Sequence, residues 1–199
     1  MSKQVDYYFS LISPYTYLGH GNFEAVAEKH GLQVNYKPAD IGKVFSETGG
    51  LPLPKRSPQR QAYRMMELKR WKEHLGVEFN LQPKHFPVPH GLAACAIISA
   101  INRGDHPGKL IGGVLRAVWA EERDISDEAT VRAIVTEQGY DAGALLEAAA
   151  QPDASARYEA FTQEAIKVGV FGAPTWVLDG ELFWGQDRLE FLERALGNA

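Results

Sequence analysis

Residues 5–19, VDYYFSLISPYTYLG, join a strand-forming segment directly to the start of a helix. Residues 5–9 contain mostly β-branched and aromatic side chains and no breaker, which favours a β-strand. Pro14 suits the first turn of a helix, because its fixed φ matches helix entry and its missing N–H would have no partner there. The helix is predicted to span residues 15–30 and to stop at Gly31.

A second strand is predicted over residues 32–36, which makes the first part of the chain a βαβ unit and favours an α/β sheet. A turn-rich stretch, GGLPLPKRSP, follows at residues 49–58. Beyond it the apolar periodicity is almost entirely helical. Six helices are predicted there, over residues 58–75, 89–103, 107–121, 127–138, 142–150 and 154–168.

Strand character returns in PTWVLDGELFWG, where two short apolar runs flank Asp179-Gly180, a strong signal for a two-residue hairpin turn. The segment DRLEFLERAL then closes the chain as an amphipathic helix that directs three leucines inward: Leu189, Leu192 and Leu196. This element order predicts a thioredoxin-like α/β fold with a mixed four-stranded sheet and a large helical insertion. Residues 1–45 and 165–199 are predicted to form the thioredoxin-like domain, and residues 46–164 the inserted helical domain.

Composition excludes several classes of function. Of 199 residues, 45% are hydrophobic and 23% charged, and the net charge of −4 gives no overall attraction to nucleic acid or anionic membranes. The sequence contains no uninterrupted run of about 18 apolar residues, so no membrane span is predicted. The first ten residues lack a signal-peptide pattern, and Cys95 is the only cysteine, so a cytoplasmic location is expected. The six histidines show no metal-binding spacing, and Cys95 is predicted to be a buried free thiol.

The junction between the first strand and the first helix carries Ser13-Pro14-Tyr15-Thr16. Thioredoxin-like redox proteins place Cys-x-x-Cys there, because a helix N-terminus favours an anion. With hydroxyls at both positions, one hypothesis is that a ligand supplies the sulfur and that Ser13 donates a hydrogen bond to its thiolate, with glutathione as the candidate ligand. The alternative is that Ser13 only caps the helix.

Two C-terminal features extend this hypothesis. Ala173-Pro174 precedes a predicted strand, where thioredoxin-like folds use a cis proline whose neighbouring peptide groups can bind an extended ligand; an ordinary trans proline is the alternative. Gln186 and Asp187 open the last helix. There the side chain of Asp187 can bind the ammonium group of a ligand, and the free backbone N–H groups can bind the carboxylate of the same ligand. Helix capping by Asp187 is the alternative there.

A basic cluster and several aromatic residues are further candidates. Seven basic residues lie between positions 55 and 75, and a ligand with several carboxylates favours such a segment near the site, with Arg60 as the preferred member; a solvated helix face is the alternative. Tyr15 and Trp184 are candidates for flanking a flat aromatic substrate, although packing in the core explains them equally well.

The segments DYYFSLISPYTYLG, LKRWKEHLGVEF and GVFGAPTWVLDGELFWGQDRLEFL together resemble the 2-hydroxychromene-2-carboxylate isomerases, relatives of the kappa-class glutathione transferases and of DsbA-type thioredoxin folds. The resemblance implies that Ser13 faces the glutathione sulfur and that Ala173, beside Pro174, binds the glutathione backbone. It further implies that Asp187 and Gln186 hold the γ-glutamyl end, and that Arg60 is a basic ligand-binding residue.

The same resemblance implies a cytoplasmic, homodimeric cis–trans isomerase that acts on an aromatic carboxylate substrate. Glutathione would add reversibly to the unsaturated ketoacid, permit bond rotation and be eliminated unchanged. Two other functions stay open at this point. One is a transferase that consumes glutathione with electrophiles or peroxides, and the other is a thioredoxin-like binding module without catalysis.

Overall fold

In the computed structural model, which describes residues 3–198, the chain opens with β1 (Gln4–Phe9), α1 (Pro14–His30) and β2 (Gln33–Pro38). Gly31 ends α1 in the left-handed conformation, with φ of 60°, and its N–H bonds the last turn of the helix. The predicted βαβ unit is therefore confirmed. Met1 and Ala199, the first and last residues of the predicted thioredoxin-like domain, lie outside the described residues.

The middle of the chain is helical. The six predicted helices are confirmed within two residues at either end, whereas a short helix that follows β2 was not predicted. That short helix begins after Asp40, whose carboxylate accepts hydrogen bonds from the N–H groups of Gly42 and Lys43 at 2.9 and 3.2 Å. The helices are α2 (Ile41–Thr48), α3 (Pro58–Leu75), α4 (Gly91–Asn102), α5 (Gly108–Trp119), α6 (Glu128–Glu137), α7 (Ala142–Ala149) and α8 (Pro152–Lys167), with a 3-10 turn at Leu53–Lys55.

The C-terminal part consists of β3 (Thr175–Leu178), β4 (Glu181–Trp184), a 3-10 turn (Gln186–Arg188) and α9 (Leu189–Asn198). Asp179 and Gly180 both have positive φ, 51° and 86°, which confirms the predicted tight hairpin. The strand order is β2-β1-β3-β4, with β1 and β2 parallel and the other two pairs antiparallel. The predicted thioredoxin-like fold with a mixed four-stranded sheet is confirmed.

Buried side chains cover both faces of the sheet. On one face Tyr7 and Trp176 are fully buried and stack at 5.7 Å, beside α1. On the other face Tyr8 lies in a smaller apolar cluster with residues of α2 and α8. The three inward leucines predicted for α9 are buried, at 9%, 0% and 3% exposure in chain order. Burial of side chains of this size stabilises the fold by about 1.5–3 kcal/mol each.

One hydrophobic core contains residues of both the sheet and the helical block. The predicted domain boundaries at 45/46 and 164/165 fall inside α2 and α8, and the division into two domains stays a prediction. Within residues 3–198, no helix is both long and apolar enough to cross a membrane.

One buried charge network joins β1, β2 and α8. The ammonium group of Lys37 lies 2.8 Å from carboxylate oxygens of both Asp6 and Glu164. Burial lowers the pKa of Lys37, but its hydrogen bonds to the two carboxylates outweigh that effect, so its pKa lies above the usual value. This network holds α8 against the sheet on the face opposite α1.

Candidate active site

Ser13 joins the N-terminus of α1 to the loop before β3. Its Oγ accepts a hydrogen bond from the N–H of Thr16 at 3.2 Å and donates one to the carbonyl oxygen of Ala173 at 3.1 Å. The backbone of Ser13 is extended, with φ of −85° and ψ of 122°, as expected of an N-cap. The capping role, which the sequence left open as an alternative, is present. The same hydroxyl joins the two segments that the sequence singled out as candidates for ligand binding.

The two hydroxyls of the Ser13-to-Thr16 motif have different surroundings. Ser13 is half-buried, whereas Thr16 is fully buried and points into the protein. The Oγ1 of Thr16 has no hydrogen-bond partner within the described part of the chain. Ser13 is therefore the hydroxyl that can reach a ligand at this helix N-terminus.

The peptide bond between Ala173 and Pro174 is cis, as predicted. Pro174 is buried, and its carbonyl accepts a hydrogen bond from the N–H of Gly185 at 2.9 Å, which ties this loop to the end of β4. Ala173 is half-buried and presents its carbonyl to Ser13. The geometry thus brings Ala173 and Ser13 together from opposite ends of the chain.

Gln186 and Asp187 lie in the 3-10 turn that leads into α9. Gln186 is buried against α1, so closely that a Cβ added to Gly19 would lie 2.7 Å from the Cβ of Gln186. Asp187 does not cap the turn; its carboxylate accepts a hydrogen bond from Arg188 at 2.7 Å. The absence of a side chain at Gly19 thus lets this turn approach the helix that carries Ser13.

The two predicted substrate-binding aromatics flank the same region. Trp184, at the end of β4, is 50% exposed, and its ring centroid lies 4.6 Å from that of Phe171. Its indole nitrogen lies against Gly172, where an added Cβ would be 2.4 Å away, so Gly172 has room for no side chain. Tyr15 is half-buried next to Pro14, and burial raises the pKa of its phenol. Both side chains present part of their surface to solvent, Tyr15 two residues after Ser13 and Trp184 beside Gly172.

Arg60, the basic residue preferred from the sequence, is exposed on the first turn of α3. One turn further on, Arg64 is half-buried, and its charge opposes the burial effect on the pKa of Tyr15. Arg56 exerts the same influence on Tyr15 from the segment before α3. Sequence reasoning included Arg64 and Arg56 in the basic cluster but could not show that their charges influence Tyr15.

Cys95 is buried in α4, and burial raises the pKa of its thiol, in agreement with the predicted inert role. Residues 3–198 contain no group of three or more His, Cys, Asp or Glu side chains arranged to hold a metal ion.

Comparison with known proteins agrees with this fold. The family model of the DSBA-like thioredoxin domain matches residues 4–197. The 2-hydroxychromene-2-carboxylate isomerase of Sphingobium xenophagum is 30% identical over 198 residues, which is 98% of this chain and 99% of that protein. Human glutathione S-transferase kappa 1 is 26% identical over 99% of this chain and 92% of its own.

Among solved structures, a 2-hydroxychromene-2-carboxylate isomerase superimposes with a TM-score of 0.80 and 27% identity, over 98% of this chain and 95% of that one. The similarity runs through the sheet, the helical block and the C-terminal helix alike. The chain therefore belongs to the 2-hydroxychromene-2-carboxylate isomerase family, within the proteins that carry a DSBA-like thioredoxin domain.

Proposed function

We propose that this protein is a glutathione-dependent cis–trans isomerase that converts 2-hydroxychromene-2-carboxylate, or a related aromatic ketoacid, to trans-o-hydroxybenzylidenepyruvate or its counterpart. The observation that carries the proposal is the Ser13 hydroxyl, held between the N-terminus of α1 and the carbonyl of Ala173 at 3.1 Å. A redox thioredoxin needs cysteines at this place, and this chain has serine and threonine. Full-length similarity to proteins named as isomerases supports the assignment.

The backbone around Ser13 fits an extended thiol peptide. Within residues 3–198, the N–H groups of Tyr15 and Ala173 donate to no backbone carbonyl, and the same is true of those of Gln186 and Asp187. N–H groups without a backbone partner can bind the peptide carbonyls and carboxylates of a ligand that reaches them. The Oδ2 atom of Asp187 already accepts a hydrogen bond from Arg188. The Oδ1 atom remains as an acceptor for a ligand ammonium group, which is the chemistry of the γ-glutamyl end of glutathione.

When bound, glutathione would supply a nucleophilic thiol that adds to the double bond of the ketoacid. The resulting single bond is free to rotate, and elimination of glutathione then restores the double bond in the trans form. The role of Ser13 is to donate a hydrogen bond from its hydroxyl group to the sulfur and so favour the thiolate. The N-terminus of α1 contributes about half a positive charge in the same direction. Tyr15 and Trp184 are placed to confine the aromatic part of the substrate. These groups act by position and electrostatics, and the protein itself forms no bond to the substrate.

The test is a spectrophotometric isomerase assay with 2-hydroxychromene-2-carboxylate, run with and without millimolar glutathione. We expect turnover that requires glutathione but leaves its concentration unchanged. Turnover that proceeds equally well without glutathione, or no turnover when calorimetry shows glutathione bound, would overturn the proposal.

The second candidate is a glutathione transferase, favoured by the similarity to human glutathione S-transferase kappa 1. Mass spectrometry separates the two, because a transferase yields a product that carries glutathione. A non-catalytic binding module would bind glutathione and do neither. The homodimer and the cytoplasmic location implied by the sequence resemblance remain part of the proposal.

A further inference from the structure

Arg64 is a half-buried cation that pairs with no carboxylate of the described residues 3–198. Within residues 3–198, the ion pairs on α3 join Lys69 to Glu73 and Arg70 to Glu67, and none includes Arg64. The contact made by its guanidinium is a long one, 3.9 Å from Nη1 to the sulfur of Met65, which is a weak acceptor.

The guanidinium nevertheless has a defined environment. Its central carbon lies 5.9 Å from the centroid of the Phe86 ring, a geometry in which the flat cation is attracted to the aromatic face. Burial lowers the pKa of Arg64, although arginine remains protonated in proteins at any ordinary pH. A charge that is partly desolvated and unpaired is unfavourable until an anion joins it.

The position of Arg64 relates this charge to the site around Ser13. Helix α3 packs against α1, and the positive charge of Arg64 acts on the phenol of Tyr15, two residues after Ser13. Arg56 acts on the same phenol and on Arg64, while its own Nε donates to the carbonyl of Leu51 at 2.7 Å. Both cations thus act on the first turn of α1, the helix that begins after Ser13.

We propose that Arg64 determines substrate specificity by binding the carboxylate of the aromatic ketoacid, with Phe86 holding the guanidinium fork in place. The two coplanar N–H groups of arginine match a carboxylate, and the apolar ring beneath them limits the directions in which the fork can point. The inference rests on the proposed function. It selects the substrate rather than glutathione as the anion, because the unpaired N–H groups assigned to glutathione lie at Tyr15, Ala173 and the turn before α9.

The experiment compares the wild-type protein with Arg64→Gln and Arg64→Lys, and with Lys69→Gln, which removes an exposed charge from the same helix. The probes are trans-cinnamate, its uncharged amide, and glutathione, each titrated separately by calorimetry. Circular dichroism establishes that each variant is folded. Neither cinnamate probe requires turnover, so the result does not depend on whether the isomerase assay succeeds.

The wild-type protein and Lys69→Gln should bind cinnamate at least about tenfold more tightly than its amide, as expected for a charge-assisted hydrogen-bonded pair. Arg64→Gln should abolish this preference, Arg64→Lys should restore part of it, and glutathione affinity should stay within about twofold in all variants. A preference retained in Arg64→Gln, or a loss of glutathione affinity instead, would overturn the inference. Failure of the isomerase assay alone would overturn only the proposed function.

Discussion

Replacing Ser13 by alanine tests how much its hydroxyl group contributes to the stability of the fold and how much to the pKa of a bound thiol. The change removes the acceptor of the Thr16 N–H and the donor to the Ala173 carbonyl. Loss of an N-cap costs about 1 kcal/mol. Loss of a neutral hydrogen bond costs about another 1 kcal/mol. A total of about 2 kcal/mol in a chain of this size lowers the melting temperature by roughly 4–8 °C.

The effect on a bound thiol is smaller than a simple charge argument suggests, because the hydroxyl has only one proton. To donate to a thiolate, Ser13 has to give up its bond to the Ala173 carbonyl. A neutral bond of about 1 kcal/mol is then replaced by a charge-assisted one of about 1.5–3 kcal/mol. The net gain of roughly 0.5–2 kcal/mol corresponds to a thiol pKa lowered by about 0.4–1.5 units.

The assay follows the ultraviolet absorbance of the thiolate in the glutathione complex as the pH is raised. Ser13→Gly separates the two roles, since glycine replaces a serine N-cap at a cost of only a few tenths of a kcal/mol while it removes the hydroxyl. Asp141→Ala is the matched control, because it deletes the cap of α7, where the carboxylate accepts from the N–H of Ala144 at 3.0 Å. We expect a higher thiol pKa in both Ser13 variants and an unchanged one in Asp141→Ala. If the thiol pKa is the same in all three, Ser13 is a cap and nothing more.

Three further predictions concern the scaffold. Gly19→Ala should destabilise the fold by about 1–3 kcal/mol and weaken glutathione binding, because the added methyl group would lie 2.7 Å from the Cβ of Gln186. Gly21→Ala is the control and should have neither effect, because there is open space around its added methyl group. Thermal unfolding compares the stability of the two variants. Lys37→Met should cost about 1–3 kcal/mol in urea unfolding at pH 7. Since the pKa of Lys37 is raised by folding, the stabilisation it provides is complete below about pH 10.4 and declines only as the pH rises through its higher folded-state value; equal losses at pH 7 and at strongly alkaline pH would contradict this. Cys95 should react with an aromatic disulfide reagent at pH 8 only after denaturant is added, because it is buried and its thiol pKa is raised; prompt reaction of the native protein would refute the assignment.

The elements that frame the site could be predicted because their signals are local. Ser57-Pro58 and Gly76 mark both ends of α3 in the sequence, and in the structure the serine caps the helix and the glycine has φ of 63°. Asp179-Gly180 identifies the hairpin in the same way, since both residues tolerate positive φ. The cis bond before Pro174 required more: a local signal would favour trans, and only the predicted order of strands and helices placed the proline opposite α1.

What could not be predicted depends on packing between distant segments. Helix α2 has eight residues, too few for a clear apolar periodicity, and its best signal was Asp40 as a cap. Arg60 and Arg64 are four residues apart and so share one side of α3, and the sequence pattern alone gives no reason for Arg64 rather than Arg60 to be shielded. In the structure Arg60 is exposed, whereas Arg64 is half-buried and lies over the Phe86 ring. The bond between Phe86 and Pro87 is also cis, and no element order indicated it.

The site combines two parts of the chain that should respond differently to change. The groups proposed for the thiol, at Ser13, Ala173 and Asp187, are attached to the sheet, whose strands and flanking helices share a buried core. The proposed carboxylate ligand, Arg64, comes from the helical block and is fixed by Phe86, outside the regular elements. Substitutions along α3 or around Phe86 should therefore alter which substrate binds while the glutathione thiol keeps its pKa. Substitutions at the strand ends should change the thiol first, because that charge is stabilised by α1 and its cap. A change on α3 that moved the thiol pKa without altering substrate preference would show that this separation is wrong.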